Sequence, residues 1–448
     1  MVGNRATDDA PADHNDFSSV RECRTQRQGT SHRQQRLANS KRASACRNVE
    51  KMSERIQRES SDSNTSSDHE NEVPPDLSSA PKFHTDRSHY GPAFEQWITT
   101  RYPNRIGASI TNIDIPVSTG FSNETVFFDA SWTEEGTECS EKFVARIEPG
   151  GGALFPAQSD HCGVSVEVQY RAMDTVRRNC DAPVPELLGY ESDPAIIGQP
   201  FFVMGFTEGR VPADQPRYSE EGFLVDEATP AERHRMVATG LQTMAEIHAI
   251  DWRTAGLEWL DTSGTGQPST RVQLDLYRSS TTRELAGRDH PVLSEAFDWL
   301  VANDPQDDRV GLSWGDSRLG NILWQDYRPA AVLDWEACAL SPTEADVGWW
   351  LMFDRMSFDD VGAARMEGFP TREEMITLYE QASGREVRAP HYWEVFGAMR
   401  FCAIFIGLGD RMTNSGLLPP EMNPAVHNMV TQALADLLGI DNPTPSVI

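Results

Sequence analysis

The sequence predicts an α+β protein with two lobes, in which a small antiparallel β-sheet precedes a larger, mainly helical part. Three observations support this fold class: strand-like segments between residues 106 and 147, apolar residues at helical spacing through most of the chain after residue 231, and an apolar strand linking these regions. Such an architecture leaves a cleft between the lobes. We place a polar tail at residues 1–80, the first lobe at 81–205 and the second lobe at 206–448.

The tail is rich in Ser, Arg, Gln, Asp and Glu, and Arg21–Asn71 has almost no large apolar side chain that could form a core. We therefore expect the tail to be disordered. Arg21–Arg58 is basic and Glu59–Asp76 is acidic, so a tether to nucleic acid or membrane is an alternative to a solvated tail. The tail contains no apolar run of the signal-peptide kind, and we expect a cytoplasmic protein.

The first lobe is predicted to begin with a helix at Pro92–Tyr102. Strand segments follow between Ile106 and Ile147, and turns are expected at Gly120 and at Glu135-Gly136. Val164–Cys180 has helical spacing, and Gln199–Phe206, with the sequence QPFFVMGF, is typical of a buried strand. This strand links the two lobes.

The second lobe is predicted from amphipathic segments with a 3.6-residue period. These segments are Ala231–His248, Pro291–Val301, Thr371–Gly384 and Pro390–Arg411. Short strands are expected only at Leu312–Trp314, Ile322–Trp324 and Ala331–Leu333.

The formal net charge of −28 argues against a protein that mainly grips nucleic acid, although it permits a cationic substrate. The chain has seven cysteines, an odd number, and they form no C-x-x-C pair, which favours a reducing compartment over a disulfide scaffold or a zinc site. The longest apolar stretch near the C-terminus, Phe401–Gly409, is too short to span a bilayer. The oligomeric state stays open.

The most informative segment is Leu312–Glu336, which contains L-S-W-G-D-S-R-L-G-N-I-L-W and then A-A-V-L-D-W-E. Asp316 and Asn321 lie on a loop between two short strands, and Asp334 follows the next strand, so pairing of the strands would bring the three side chains together. Phosphoryl transfer needs this set, because one carboxylate accepts the proton of the attacking hydroxyl while a carboxylate and an amide oxygen hold Mg²⁺. A polar turn whose Asp and Asn cap backbone groups is the alternative.

W-G-D-S-R-L-G-N-I-L followed by L-D-W-E resembles the catalytic and metal-binding signature of the aminoglycoside phosphotransferase family, which includes choline-kinase-like and acyl-CoA dehydrogenase-associated kinase domains. The resemblance implies a bilobal protein-kinase-like fold that uses ATP and Mg²⁺. It makes Asp316 the catalytic base and Asn321 and Asp334 the metal ligands. Arg318 would neutralise the transferring phosphate, although an ion pair would explain this residue equally. The family usually has His-Gly-Asp, and here Trp314 replaces the His.

The resemblance extends to the first lobe. Ser122 and Asn123, in G-F-S-N-E-T-V-F-F, would lie on the nucleotide loop, although an ordinary hairpin turn has the same composition. Arg146, on the strand F-V-A-R-I, would bind the α- and β-phosphates, and Glu167 on the next helix would be its ion-pair partner. Lys142 is the alternative to Arg146 if the strand register differs.

The resemblance also implies a hinge that recognises adenine, through backbone groups from Met204 to Phe206, although a core strand would have the same sequence. His248, at the end of a predicted helix, is interpreted as structural and satisfied by neighbouring backbone. Trp349 and Trp350 are interpreted as core or cleft wall, with an aromatic platform for the substrate as the alternative.

These observations predict transfer of the ATP γ-phosphate to a hydroxyl of a small molecule, whether hydroxyacyl-type, aminoglycoside-like or an amino alcohol. Arg318 and the R-L-G-N spelling resemble most closely the hydroxyacyl-type branch of the family. A catalytically silent nucleotide-binding protein with a regulatory role is the main alternative, and Trp314 is its best support. Protein kinase activity is less favoured, because the sequence has no D-F-G or A-P-E run.

Overall fold

The structure is a computed structural model that describes residues 87–116, 123–150, 152–306 and 309–443. The predicted disordered tail, the predicted turn at Gly120 and the candidate nucleotide-loop residue Ser122 lie outside these residues. All of the described residues belong to one unit, Pro75–Ile448.

The front lobe is built on a five-stranded antiparallel sheet with the strand order β1-β2-β3-β5-β4. The strands are β1 (Ile106–Asp114), β2 (Glu124–Glu134), β3 (Thr137–Ile147), β4 (Leu187–Glu191) and β5 (Phe201–Gly205). Two helices accompany them, α1 (Tyr90–Arg101) and α2 (Ser165–Asn179).

Alternation along β5 shows how this sheet is buried on both faces. Phe201 and Val203 pack with α1 in one apolar cluster, whereas Phe202 and Met204 belong to the cluster that continues into the helical lobe. The expected turn at Glu135-Gly136 is present, and both residues have positive φ angles, 51° and 78°. Such angles are those of a tight two-residue hairpin, which joins β2 to β3 in continuous register.

Within the described residues the helical lobe contains eight α-helices, seven of at least ten residues and one of four, together with two two-stranded sheets. The helices are α3 (Phe223–Asp226), α4 (Pro230–His248), α5 (Thr270–Leu285), α6 (Pro291–Ala302), α7 (Glu344–Ser357), α8 (Arg372–Ser383), α9 (Pro390–Asn414) and α10 (Met429–Leu438). The short strands are β6 (Val310–Ser313), β7 (Ile322–Gln325), β8 (Arg328–Val332) and β9 (Ala339–Pro342); β6 pairs with β9, and β7 pairs with β8.

Helices α7 and α9 pack closely at the centre of this lobe. At Gly348 of α7 a side chain would overlap the backbone carbonyl of Trp393 on α9, so the close approach requires glycine at this position. By length and composition α9 is also apolar enough to cross a membrane, but 78% of its apolar window is buried inside the fold. It therefore has the environment of a core helix.

The predicted fold class is confirmed: a small antiparallel sheet lobe precedes a mainly helical lobe. The sequence analysis missed several elements, among them β4, β9, α5, α7 and α10. β4 is only five residues long, and its outer positions are half-buried, so its apolar pattern is weak. In α5 the buried positions include Thr270, Gln273, Ser280 and Thr281, so polar side chains occupy much of the face that packs inward.

Candidate active site

The loop between β6 and β7 carries Asp316. Gly315, directly before it, has φ = 90°, and a side chain there would overlap the carbonyl of Ala337. Only glycine avoids both the strained backbone angle and this overlap. The conformation of the loop therefore depends on the W-G-D sequence.

Asp346, on the first turn of α7, holds the start of this loop. Its carboxylate accepts hydrogen bonds from the Ser313 hydroxyl (2.8 Å) and from the amides of Trp314 (2.6 Å) and Gly315 (2.9 Å). Nε2 of His248 donates to the same carboxylate at 2.9 Å. Burial alone would raise the pKa of Asp346, but these bonds outweigh burial and hold the pKa below its usual range.

His248 is thus structural, as interpreted from the sequence, but its partners are different. Its ring nitrogens contact two side chains, those of Asp346 and, at 2.7 Å, Tyr379, and no neighbouring backbone group is needed to satisfy it. Both partners are about 100 residues or more away in sequence, so local reasoning could not identify them.

One oxygen of Asp316, Oδ1, is held from two sides. The indole Nε1 of Trp349 donates to it at 2.8 Å, and Nε of Arg318 lies 3.3 Å from it. Burial raises the pKa of Asp316, whereas the guanidinium of Arg318 acts in the opposite direction. Nη1 of Arg318 also contacts both carboxylate oxygens of Asp214, at 2.7 and 2.8 Å. The contacts of Arg318 therefore agree with a structural ion pair and also with a cation held beside Asp316.

The structure brings Asn321 and Asp334 to the same place as Asp316. The side-chain Nδ2 of Asn321 donates to the Asp316 carbonyl at 2.9 Å, while the Asn321 carbonyl accepts from the amide of Leu333 at 2.9 Å. Asp334 follows with φ = 55°, an unusual conformation for a residue with a side chain. Because the amide nitrogen of Asn321 faces the loop, its side-chain oxygen is left for another partner, and an amide oxygen beside a carboxylate suits Mg²⁺.

Trp314 occupies the position of the expected His without disturbing this arrangement. Its indole Nε1 donates to the Leu333 carbonyl at 2.8 Å, next to Asp334, and its ring lies near that of Trp335. The buried indole therefore connects the loop that carries Asp316 to the segment that carries Asp334.

The predicted ion pair between Arg146 and Glu167 is wrong. Arg146 binds Asp334 at 3.1 Å and the hydroxyl of Thr125 at 2.8 Å, whereas Glu167 pairs with Arg171 at 3.3 Å. The reason is the phase of α2: residues advance by about 100° each, so Glu167 lies on the other side of the helix from Gln169, which lines the cleft with Arg146.

Gln169 is a site residue that the sequence analysis missed. It is buried and donates through Nε2 to the Ser165 hydroxyl at 3.2 Å. The apolar spacing of Ala172, Met173 and Val176 places Gln169 on the inward face of α2, so the helical period contained the signal.

Lys142 does not replace Arg146. Its ammonium lies 4.1 Å from the centre of the Phe206 ring, at the hinge end of the cleft. The amide of Phe206 donates to the Lys142 carbonyl at 2.9 Å, and the amide of Gly205 donates to the Glu186 carbonyl at 2.7 Å. The expectation that the Phe206 amide binds adenine therefore needs correction, because the sheet already uses this donor. Met204 instead contributes to the wall of the cleft.

Asn123 is buried and faces the segment that carries Asp334 and Glu336. Its Nδ2 donates to Glu336 at 2.9 Å and lies 3.4 Å from the Ser165 hydroxyl. It connects the start of β2 and the start of α2 to the D-W-E sequence. These contacts explain why this Asn is buried although its sequence is typical of an exposed turn.

The cleft between the lobes has a volume of about 300 Å³. It has apolar walls and a polar end; the wall residues include Phe127, Val144, Met173, Phe202, Met204, Leu323 and Leu333, and the polar end is formed by Thr125, Arg146, Gln169 and Asp334. A ligand that joins a flat apolar ring to a charged group would fit this cleft, with the ring between the apolar walls and the charged group at the polar end.

On the other side of Asp316, aromatic rings of α7 and α9 form a continuous row, here called the aromatic row: Trp349, Phe353, Phe401 and Phe405. The ring centres of Trp349 and Phe353 are 5.3 Å apart, those of Phe353 and Phe401 are 5.1 Å apart, and those of Phe401 and Phe405 are 5.4 Å apart. The guanidinium of Arg318 lies 5.0 Å from the Phe353 ring. The row thus begins at the carboxylate of Asp316 and extends away from it.

The segment between β3 and α2 reaches from the sheet lobe to this side of the helical lobe. Leu154 and Phe155 pack against the core of α7 and α9, and Arg411 of α9 donates to the carbonyls of Gly152 and Ala153 at 2.8 and 3.0 Å. Burial lowers the pKa of Arg411. The strand that carries Arg146 is therefore connected directly to the neighbourhood of the aromatic row.

Comparison with known proteins gives a consistent result. The family model described as "Phosphotransferase enzyme family" matches residues 115–379, more than half of the chain. Acyl-CoA dehydrogenase family member 11 of Gallus gallus is 28% identical over 285 residues, which are 61% of this chain and 33% of that protein. Probable acyl-CoA dehydrogenase IBR3 of Arabidopsis thaliana is 26% identical and covers 63% of this chain and 36% of its own length.

The chain thus spans about a third of the length of these curated relatives. Among solved structures, a candidate aminoglycoside phosphotransferase from Ralstonia eutropha JMP134 superposes with a TM-score of 0.57 at 23% identity, covering 78% of this chain and 99% of that one. This likeness confirms the bilobal kinase-like fold.

Proposed function

This chain belongs to the phosphotransferase enzyme family, and from that premise we propose that it transfers the γ-phosphate of ATP to a hydroxyl group of a small molecule. One observation carries the proposal: Asp316, Asn321, Asp334 and Arg146 converge where the apolar slot of the cleft meets the aromatic row. A nucleotide in the slot would present its phosphates to the carboxylate of Asp316.

Asp316 is the proposed base. The acceptor hydroxyl oxygen forms a bond to the γ-phosphorus as the bond from that phosphorus to the bridging oxygen of ADP breaks, and the hydroxyl proton passes to Asp316. Burial raises the pKa of Asp316, which makes the carboxylate a better proton acceptor, while Arg318 keeps it from being neutralised.

The remaining polar residues align the nucleotide. Arg146 would bind the α- and β-phosphates after exchanging its contact with Asp334 for them, and Arg318 would face the charge of the transferring phosphoryl group. Asn321 and Asp334 offer the oxygen ligands for Mg²⁺, which supplies charge neutralisation to the phosphates when bound.

The surroundings of Asp316 favour an acceptor hydroxyl on an apolar body, the hydroxyacyl type. The aromatic row offers an apolar surface, and Arg318 at its edge suits an anionic group better than the cationic groups of an aminoglycoside or amino alcohol. The curated relatives are named for acyl-CoA oxidation, which is consistent with an acyl-type acceptor.

The experiment follows ADP release by the purified chain with Mg-ATP and a panel of acceptors: hydroxyacyl thioesters, an aminoglycoside and choline. We expect release that depends on a hydroxyacyl acceptor, is lost in Asp316→Asn, and is retained in the control Asp298→Asn, which changes an exposed ion-paired carboxylate. Equal turnover in wild type and Asp316→Asn would refute the assignment of the base. A melting shift with Mg-ATP but no phosphorylated product would indicate the silent nucleotide-binding protein instead.

A further inference from the structure

Trp349 contacts the candidate base although it lies outside the loop that carries the base. It is the sixth residue of α7, its side chain is 1% exposed, and its indole N–H donates to Oδ1 of Asp316 at 2.8 Å. A bond from a buried donor to a partly buried carboxylate is among the stronger hydrogen bonds in a protein. It fixes which oxygen of the carboxylate points toward the helical core.

Arg400, on α9, contacts both ends of this arrangement. Its Nη2 donates to the Gly315 carbonyl at 3.0 Å, one residue before Asp316, and its guanidinium carbon lies 4.7 Å from the centre of the Trp349 ring. Its Nε donates to the hydroxyl of Tyr277 at 3.0 Å. One side chain therefore contacts the backbone that carries the base and the indole that orients the base.

Arg400 is a basic residue that is only 4% exposed. Within the part of the chain that the structure describes, no carboxylate lies within ion-pair distance of it. A buried cation without a counter-ion is costly, and an apolar side chain of similar size would avoid that cost. Packing alone gives little reason for an arginine at this position, whereas a donor aimed at the Gly315 carbonyl requires one.

We propose that Trp349 and Arg400 are positioning residues that set the orientation of Asp316 for phosphoryl transfer. Arg400 fixes the Gly315 carbonyl and the face of the Trp349 ring, and Trp349 holds Oδ1, so Oδ2 receives the proton of the acceptor hydroxyl. The inference rests on the proposed function for its catalytic consequence, but the contact itself can be tested without turnover. Neither residue belongs to the W-G-D-S-R-L-G-N or L-D-W-E segments.

The contact is tested by the indole ¹⁵N–¹H resonances of protein labelled at its 11 tryptophans. Trp349→Phe identifies the resonance of Trp349, and Asp316→Asn is expected to shift that resonance, because a neutral amide accepts a weaker hydrogen bond than a carboxylate. Arg400→Lys is expected to shift it as well, since the planar group over the ring is lost. A Trp349 resonance that is unchanged in Asp316→Asn would overturn the proposal.

The catalytic consequence is tested by kinetics with the acceptor that gives turnover. Trp349→Phe keeps an aromatic side chain but removes the N–H donor together with part of the ring volume, and from the loss of the donor we expect kcat to fall roughly 10- to 100-fold with the KM for ATP unchanged within about twofold. In an Asp316→Asn background the same substitution should have no further effect on the residual rate, because the carboxylate that it orients is gone.

The matched control is Trp393→Phe. Trp393 is fully buried in the same helical core, and its indole donates to the Arg388 carbonyl at 3.0 Å, so the substitution removes the same chemical group from a position away from the base. We expect it to leave kcat within about threefold of wild type. Equal losses in Trp349→Phe and Trp393→Phe, or a loss from Trp349→Phe that persists in the Asp316→Asn background, would refute positioning. If the wild type transfers no phosphate to any acceptor, the proposed function fails, and the resonance shift alone decides whether the contact exists.

Discussion

Asp346→Asn is the substitution whose effect follows most directly from the contacts of the site. The carboxylate accepts four hydrogen bonds in a fully buried position, two at each oxygen. Asparagine has the same shape, and its single oxygen can retain the bonds from Ser313 and Gly315 at Oδ1. Its NH₂ group would then face the amide of Trp314 and Nε2 of His248, two donors that lose their acceptor.

The magnitude follows from these two lost bonds. A buried donor without an acceptor costs about 1–3 kcal/mol, so the substitution should lower the free energy of unfolding by about 2–6 kcal/mol at neutral pH. The control Asp298→Asn removes an ion pair whose carboxylate is 71% exposed, and such a pair contributes about 1 kcal/mol or less.

The pH dependence has a defined sign. Because the folded-state pKa of Asp346 lies below its unfolded value, the carboxylate stabilises the protein above about pH 4, and this contribution is lost as the pH falls through the lowered folded-state pKa. The difference between wild type and Asp346→Asn should therefore shrink on acidification. The assay is urea denaturation at a series of pH values. A loss below about 1 kcal/mol at neutral pH, or a difference that does not depend on pH, would refute the reasoning.

Three further predictions concern the nucleotide. Arg146→Ala should weaken ATP binding roughly 10- to 100-fold by calorimetry, whereas Lys142→Ala, at the hinge end, should have a much smaller effect; the reverse order would reject Arg146 as the phosphate ligand. Asp334→Ala should abolish the magnesium-dependent part of the melting shift with ATP, and an unchanged shift would remove Asp334 from the metal site. Gln169→Glu should give Arg146 a carboxylate on α2 and release Asp334, so half-maximal ATP binding should need less Mg²⁺; an unchanged requirement would show that the Arg146–Asp334 pair does not compete with the metal.

The sequence predicted the architecture because its signals are local. The alternation in β2 and β3, the Glu135-Gly136 turn and the 3.6-residue period of α4 are each contained within about 20 residues. The convergence of Asp316, Asn321 and Asp334 was predictable for the same reason, since one small hairpin connects them.

The incorrect predictions concern contacts that depend on how separate helices and strands pack against one another. Glu167 was chosen by its place at the start of a helix, but the rotation of α2 against the sheet puts Gln169 into the cleft. Backbone groups from Met204 to Phe206 were expected to bind adenine, but the amide of Phe206 donates to the Lys142 carbonyl on β3 instead.

The residues that contact Asp316 and its loop from the helical core could not be predicted from the sequence. Trp349 and Arg400 lie 33 and 84 residues after Asp316, on two helices whose packing must be known before the contacts can be seen. Neither position has a local pattern that distinguishes it from an ordinary core residue.

The central claim is that the γ-phosphoryl group leaves ATP for an acceptor hydroxyl through Asp316. The most direct measurement is mass spectrometry of the acceptor after incubation with Mg-ATP labelled with ¹⁸O at the γ-phosphate. We expect a labelled phosphate ester on the hydroxyacyl acceptor with the wild-type chain and none above background with Asp316→Asn. Label found only in inorganic phosphate, or equal amounts of labelled ester from both proteins, would contradict the account.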